Sequence, residues 1–235
     1  MRKLVLTILC SFGLSTLALS NMETIEGEVF QYTDILTNIL NQPGKEIPNT
    51  LMQEAECVAT YKLLKVGMFV GLKNGNGIVS CRTPEGNWSL PLFSKISGFS
   101  FGLQSGLSEE HVVLVFVDEK AAQNFIRESS TVGLDLNLTA GPVGRDIEIA
   151  NNLTQFNPVF YYSLSQGMYM GVSLTRTQIN SDHTKNHMVY GSQTSASFLL
   201  QSSNPTLVDE SIDNKRFQSY QEVLNNFDQQ LDLEF

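Results

Sequence analysis

Between residues 26 and 40 the apolar side chains fall at Val29, Tyr32, Ile35, Leu36, Ile39 and Leu40. Steps of three and four place them on one stripe, which predicts an amphipathic helix. Asn41-Gln42-Pro43-Gly44 stops it. The opposite face carries Glu28, Gln31, Asp34 and Asn38, acidic and neutral. A helix that lies on an anionic bilayer carries Lys or Arg there, so this one is expected to dock on its own domain. Pro48 to Ala59 predicts a second helix, with Pro48 in its first turn and Leu51, Ala55 and Val58 on one side.

The pattern then changes. Glycine recurs at 67, 71, 75, 77, 86, 98, 102 and 106, among short apolar and β-branched runs. Asn74-Gly75 and Asn76-Gly77 read as hairpin turns, and Pro84-Glu85-Gly86-Asn87 as another. They divide the stretch into strands at about 65–73, 77–83, 87–95 and 97–105, joined as an antiparallel meander. Gly98, Gly102 and Gly106 would then share one side of a strand, a bare face for another element or a ligand.

His111 to Val117 is a continuous apolar run, suited to a buried strand. Asp118 caps a short helix over Glu119 to Arg127. Val132, Leu134, Leu136 and Leu138 alternate with polar residues, a half-buried strand, and Gly141 to Arg145 form a tight loop. Val159 to Ser165 and Met168 to Thr175 read as a hairpin around Ser165-Gln166-Gly167. Asp182 to Tyr190 is a short helix ending at Gly191, Ser192 to Asn204 a polar loop, and Glu210 to Leu231 a terminal amphipathic helix. The fold class is therefore α+β: a single domain on a twisted, mainly antiparallel β-sheet or partial barrel, with short N-terminal helices and a C-terminal helix.

The first twenty residues stand apart. Arg2 and Lys3 precede a mostly apolar run from Leu4 to Leu14, and Ala18-Leu19-Ser20 supplies small residues for cleavage before Asn21. This is the pattern of a secretory signal peptide. Its loss takes Lys+Arg from 15 to 13 against 24 Asp+Glu, a formal charge of −11. Such a surface repels nucleic acid, which is excluded as a partner class. Cys57 and Cys81 remain; in an oxidising compartment they pair, and otherwise they are buried thiols.

Candidate chemistry is sparse. Gly98-Phe99-Ser100-Phe101-Gly102 matches the G-x-S-x-G nucleophile elbow, but the alternation continues past it where an elbow needs a strand-to-helix turn. His183 and His187 stand one helical turn apart beside Asp182, without a visible third metal ligand, and His111 reads as a boundary histidine. Neither a catalytic residue nor a cofactor is expected. Against the acidic whole, Lys62, Lys65, Lys73, Arg82 and Lys95 gather near the meander, with Arg145 on the later loop. On one face they would bind an anionic head group. Lys65, Lys73, Arg82, Arg145 and the sole tryptophan, Trp88, are the candidate lipid-binding residues.

A series of motifs carries a resemblance. Ala55 precedes the first strand; Gly67, Gly71, Gly75-Asn76-Gly77, Trp88-Ser89-x-Pro91 and Gly98 to Gly106 follow. Then come Asp118-Glu119-Lys120-Ala121, Gly141-Pro142-Val143-Gly144-Arg145, Tyr162-Ser163, Gly167, Gly171-Val172-Ser173-Leu174 and Tyr190-Gly191. In this order they resemble the SYLF domain, also called the Ysc-type actin-binding domain, over roughly Gln31 to Gly191. The resemblance divides the chain into a signal peptide (1–20), a SYLF-like domain (21–191) and a loop with C-terminal helix (192–235). It implies a non-enzymatic phospholipid- or membrane-binding protein of the bacterial envelope, exported across the inner membrane and periplasmic or extracellular. The alternative it implies is a protein-interaction module that binds actin or an envelope partner. The chain departs from the family in Glu56-Cys57, where a Lys-Gly pair is common, and in its acidic first helix.

Overall fold

A computed structural model describes residues 25–43, 47–67, 70–101, 106–119, 122, 123, 125, 134–136, 139–140, 159–165 and 174–232. The expected leader, the loop from Gly141 to Arg145, and residues 168–173 of the expected hairpin lie outside these residues.

Helix α1 spans 25–40, and every residue of its predicted apolar stripe is buried. Helix α2 is only Asn49–Gln53. The longer helix expected to Ala59 gives way to strand β1, Cys57–Gly67. Val58 and Thr60 are β-branched, and Cys57 to Tyr61 are buried on both faces of the sheet, an environment that overrides weak helical spacing.

Strand β2, Val70–Cys81, runs straight through both Asn-Gly pairs. The expected turns at Asn74-Gly75 and Asn76-Gly77 are therefore corrected to strand interior. The glycines serve close approach instead. A Cβ on Gly77 would lie 2.2 Å from the Thr60 carbonyl oxygen and 2.3 Å from the Tyr61 ring; one on Gly75 would lie 2.3 Å from the Lys62 carbonyl oxygen. The turn at Pro84 to Asn87 does form, with Gly86 at φ +86° and its N–H donating to the Thr83 carbonyl. Trp88 lies in an isolated bridge with Arg82, and β3 begins only at Leu92, ending at Phe101. Gly106 opens β4, Gly106–Phe116, so Gly98 and Gly106 occupy different strands rather than one bare face.

The remaining strands are β5 (Leu134–Leu136), β6 (Thr139–Ala140), β7 (Val159–Ser165) and β8 (Leu174–Ser181). The sheet order is β5-β8-β3-β2-β1-β4-β7-β6. Its six long strands pair antiparallel, while β6 joins β7 parallel. The described parts of the hairpin expected between Val159 and Thr175 do not pair with each other: β7 pairs with β4 and β8 with β3, on opposite flanks of the centre. Each segment finds an apolar strand edge to cover, and sequence adjacency does not decide which. Cys57 and Cys81 face each other across β1 and β2 and form a disulfide.

Helices α3 (His183–Tyr190), α4 (Ala196–Leu199), α5 (Asn214–Phe217) and α6 (Ser219–Asp232) complete the domain. α3 has the expected ends: Asp182 accepts from the Lys185 N–H, and Gly191 takes φ +81°. α4 replaces part of the expected loop. Residues beyond Gly191 are not an appendage. Leu199, Leu200, Val208, Ile212, Phe217, Tyr220 and Leu224 are buried in the same core as α1 and the sheet. Tyr220 and Thr60 share a buried hydrogen bond of 2.8 Å. Asn186 of α3 accepts from the Phe93 N–H (2.9 Å) and donates to its carbonyl (2.8 Å). A side-chain amide thus satisfies backbone groups of β3 next to the end of its pairing with β8 at Ser94 and Ser181.

Candidate functional site

Strand register distributes the sequence-predicted cations into three separate places. The first is the sheet face that α1 leaves partly uncovered. Registered across the strands, His111, Lys62, Asn76, Lys95 and Asn180 form one row, from β4 to β8. The next row reads Glu109, Leu64, Asn74, Ser97 and Gln178. Side chains at alternate strand positions share a face, so both rows project to the same side. Glu28, Gln31 and Tyr32 of α1 wall this platform, and a groove of about 710 Å³ lies between helix and sheet. Lys62 pairs with Glu109 at 3.3 Å, Lys95 with Asp182 at 3.0 Å, and Lys185 with Glu28. Burial acts on the Glu109 carboxyl in the raising direction, but hydrogen bonds from His111 and Lys62 outweigh it and hold the carboxyl below its usual range. The groove is thus polar and nearly neutral, not cationic.

The second place is the opposite face. Lys65 and Lys73 are direct cross-strand partners, and both reach Glu110, at 2.5 and 3.8 Å. Lys73 and Glu110 are buried, and the Lys73 ammonium sits 5.9 Å from the Tyr161 ring centre. Burial lowers the Lys73 pKa to about 8; Glu110 opposes the shift and Lys65 adds to it. The same face raises the Tyr161 hydroxyl well above its ordinary value, through burial first and then Glu110.

The third is a knot that ties the C-terminal helix to the sheet. Arg82 donates to both Asp228 carboxylate oxygens, at 2.8 and 3.0 Å, and through Nε to the Ala55 carbonyl at 2.8 Å. Its guanidinium lies 4.6 Å from the centre of the Trp88 ring. The buried Trp88 indole donates to Asp228 at 2.8 Å. Gln221 donates to the Trp88 carbonyl at 2.7 Å. Arg82 and Trp88 therefore hold α6 in place rather than face a ligand.

Arg145 lies outside the described residues. Ser100 sits within β3, which continues through Phe101, so it occupies strand rather than a strand-to-helix elbow. His183 and His187 are exposed on α3 with rings 6.2 Å apart. Among the described residues no group of three or more His, Cys, Asp and Glu side chains is placed to hold a metal ion. No described helix is long and apolar enough to cross a membrane.

The family described as "Ysc84: Las17-binding protein actin regulator" matches residues 97–226, from within β3 to within α6. The chain belongs to the Ysc84 family. It is 32% identical over 145 residues to the SH3 domain-containing YSC84-like protein 1 of Homo sapiens, which covers 61% of this chain and 42% of that protein. The protein of the same name from Xenopus laevis is 30% identical over 152 residues, covering 64% of this chain and 45% of its own length. Protein YSC84 of Saccharomyces cerevisiae is 28% identical over 157 residues, 66% of this chain and 34% of the yeast protein. The chain thus spans less than half of the length of these curated relatives. The names of the human and Xenopus proteins refer to an SH3 domain, and the family description refers to actin regulation. The family match extends past Gly191, in keeping with the shared core formed by α4, α5 and α6.

Glu110, Asp228 and the platform residues Asn74, Asn76 and Asn180 were not among the predicted site residues. One signal for the platform is present in the chain. Leu72, Asn74, Asn76 and Ile78 alternate with period two, which places both asparagines on one strand face if the glycines between them are read as strand rather than turn.

Proposed function

We propose that this Ysc84-family domain is a non-enzymatic protein-interaction module of the actin-regulating kind. The observation that carries this reading is the family match over 97–226, whose description names an actin regulator. The described polar side chains support it: the lysines of the sheet are engaged in ion pairs with carboxylates, not in a nucleophile–base arrangement. Exposed Phe30, Met188 and Phe198, on α1, α3 and α4, supply apolar anchors of the type that protein interfaces bury. Co-sedimentation of residues 21–235 with actin filaments tests the proposal. Retention in the supernatant at every filament concentration would remove it.

A second reading, attachment to a phospholipid surface, rests on Leu64 and Leu72. These are 46% and 54% exposed on the side of the sheet that α1 leaves partly uncovered. Two exposed leucines on neighbouring strands suit shallow insertion into a bilayer, while Lys65 and Lys73 lie on the other face with Glu110 and are not part of that surface. Flotation with vesicles of zwitterionic and anionic composition at two salt concentrations separates insertion from head-group attraction. Export across a membrane completes the proposal: the N-terminal pattern of residues 1–20 and the Cys57–Cys81 disulfide both suit an oxidising compartment.

A further inference from the structure

The groove between α1 and the sheet has polar side chains that neither reading uses, although its Leu64 belongs to the second. Its charges are spent internally: Lys62 on Glu109, Lys95 on Asp182, Glu28 on Lys185. Beside these pairs, whose Lys62, Lys95 and Glu109 side chains are about half exposed, it presents amide and hydroxyl chemistry from Gln31, Asn74, Asn76, Ser97 and Asn180. Asn74 and Asn76 are exposed, two residues apart on β2; Ser97 on β3 is the register partner of Asn74, and Asn180 on β8 lies in the row of Asn76, with Lys95 between them. Each amide offers two donors and an acceptor on one group, and a serine hydroxyl offers both roles. The exposed side chain of Leu64 stands between Glu109 and Asn74 in the outer row, an apolar spot in a polar floor.

We propose that this groove is a binding site for a neutral, polyhydroxylated ligand, an oligosaccharide segment of two to four sugar units. Sugar hydroxyls both donate and accept, so they match amides rather than single-sign charges. A pyranose ring also has an apolar C–H face, which Leu64 would meet. A groove of about 710 Å³ has the size of an ordinary small-ligand site. An anionic ligand would meet the carboxylates of Glu109 and Asp182 beside each lysine. A cationic ligand would meet the ammonium groups of Lys62 and Lys95 beside the carboxylates.

The test is titration of the full exported chain, residues 21–235, followed by saturation-transfer NMR and calorimetry. The probes are maltotetraose, cellotetraose and chitotetraose, with an oligogalacturonate as the anionic comparison and tetraglycine as the peptide comparison. The expected result is saturable binding of at least one neutral sugar, in preference to the oligogalacturonate. The double substitution Asn74→Ala/Asn76→Ala should weaken it about tenfold or more. Both side chains are exposed, so the fold is kept, and an unchanged thermal midpoint verifies this. Lys215→Ala, on α5 away from the groove, should bind as the parent does. Binding of none of the neutral sugars would overturn the proposal, as would preference for tetraglycine or the oligogalacturonate. Equal affinity in the asparagine double variant would also overturn it.

Discussion

Substituting Asp228 by alanine should loosen the C-terminal helix from the sheet, and the structure sets the size of the effect. Asp228 accepts two hydrogen bonds from Arg82 and one from the Trp88 indole. The ion pair is partly solvated, with side-chain exposures of 23% and 25%, so its loss costs about 1 kcal/mol rather than the value of a dry pair. The Trp88 N–H is buried, and leaving it without an acceptor costs a further 1–2 kcal/mol or so. Arg82 keeps the Ala55 carbonyl and its place over the indole ring, so it is not orphaned. The expected loss is about 2–3 kcal/mol. Trp88 is the only tryptophan, so its fluorescence reports urea unfolding directly. With an m-value of about 2–3 kcal/mol/M, the midpoint should fall by about 1 M. Asp228→Asn retains an acceptor for the indole and should lose about half as much. A midpoint unmoved by Asp228→Ala would refute the claim that α6 is tied to the sheet through this residue.

Lys73 supplies a pH prediction. Its folded pKa, about 8, lies below the ordinary lysine value of 10.5, so the unfolded chain binds more protons between these values. Stability should therefore rise with pH from 8 towards 10, by about 1–2 kcal/mol, and Lys73→Met should abolish the rise. Above about pH 10 the trend should reverse. Burial raises the hydroxyls of Tyr61, Tyr161 and Tyr220, so the unfolded chain then loses the protons that the fold retains. Gly77→Ala should cost about 3 kcal/mol or prevent folding, because the added carbon meets the Thr60 carbonyl and the Tyr61 ring; a parent-like urea midpoint would contradict the packing. Cys57 and Cys81 should resist alkylation until reduced, and reduction should lower stability by about 3 kcal/mol for a closed loop of this length. Immediate alkylation of the oxidised, folded protein would contradict the bridge.

Local signals carried α1, the buried run of β4 and both ends of α3, because periodicity and capping are written in adjacent residues. Val29, Leu36 and Leu40 lie on the stripe that the chain announces, and Asp182 and Gly191 bound the helix they were expected to bound. The glycines of β2 were misread because Asn-Gly has two uses. It turns a hairpin, or it leaves room for a ring on the next strand, and Tyr61 decides which only once β1 and β2 are in register. The same limit scattered the expected cationic site. Lys62, Lys65, Lys73 and Arg82 are near in sequence, but strand alternation sends Lys62 to one face and Lys65 and Lys73 to the other, while Arg82 lies past the end of β2. Their partners Glu109, Glu110 and Asp228 come from distant segments, so the neutralisation of these charges was not legible from local sequence.

Co-sedimentation with actin filaments, with vesicle flotation run on the same preparation of residues 21–235, tests the functional account most directly. Saturable pelleting with filaments at physiological ionic strength is the expected result. Failure to pellet with filaments, together with flotation on vesicles, would contradict it and assign the domain to membrane surfaces instead.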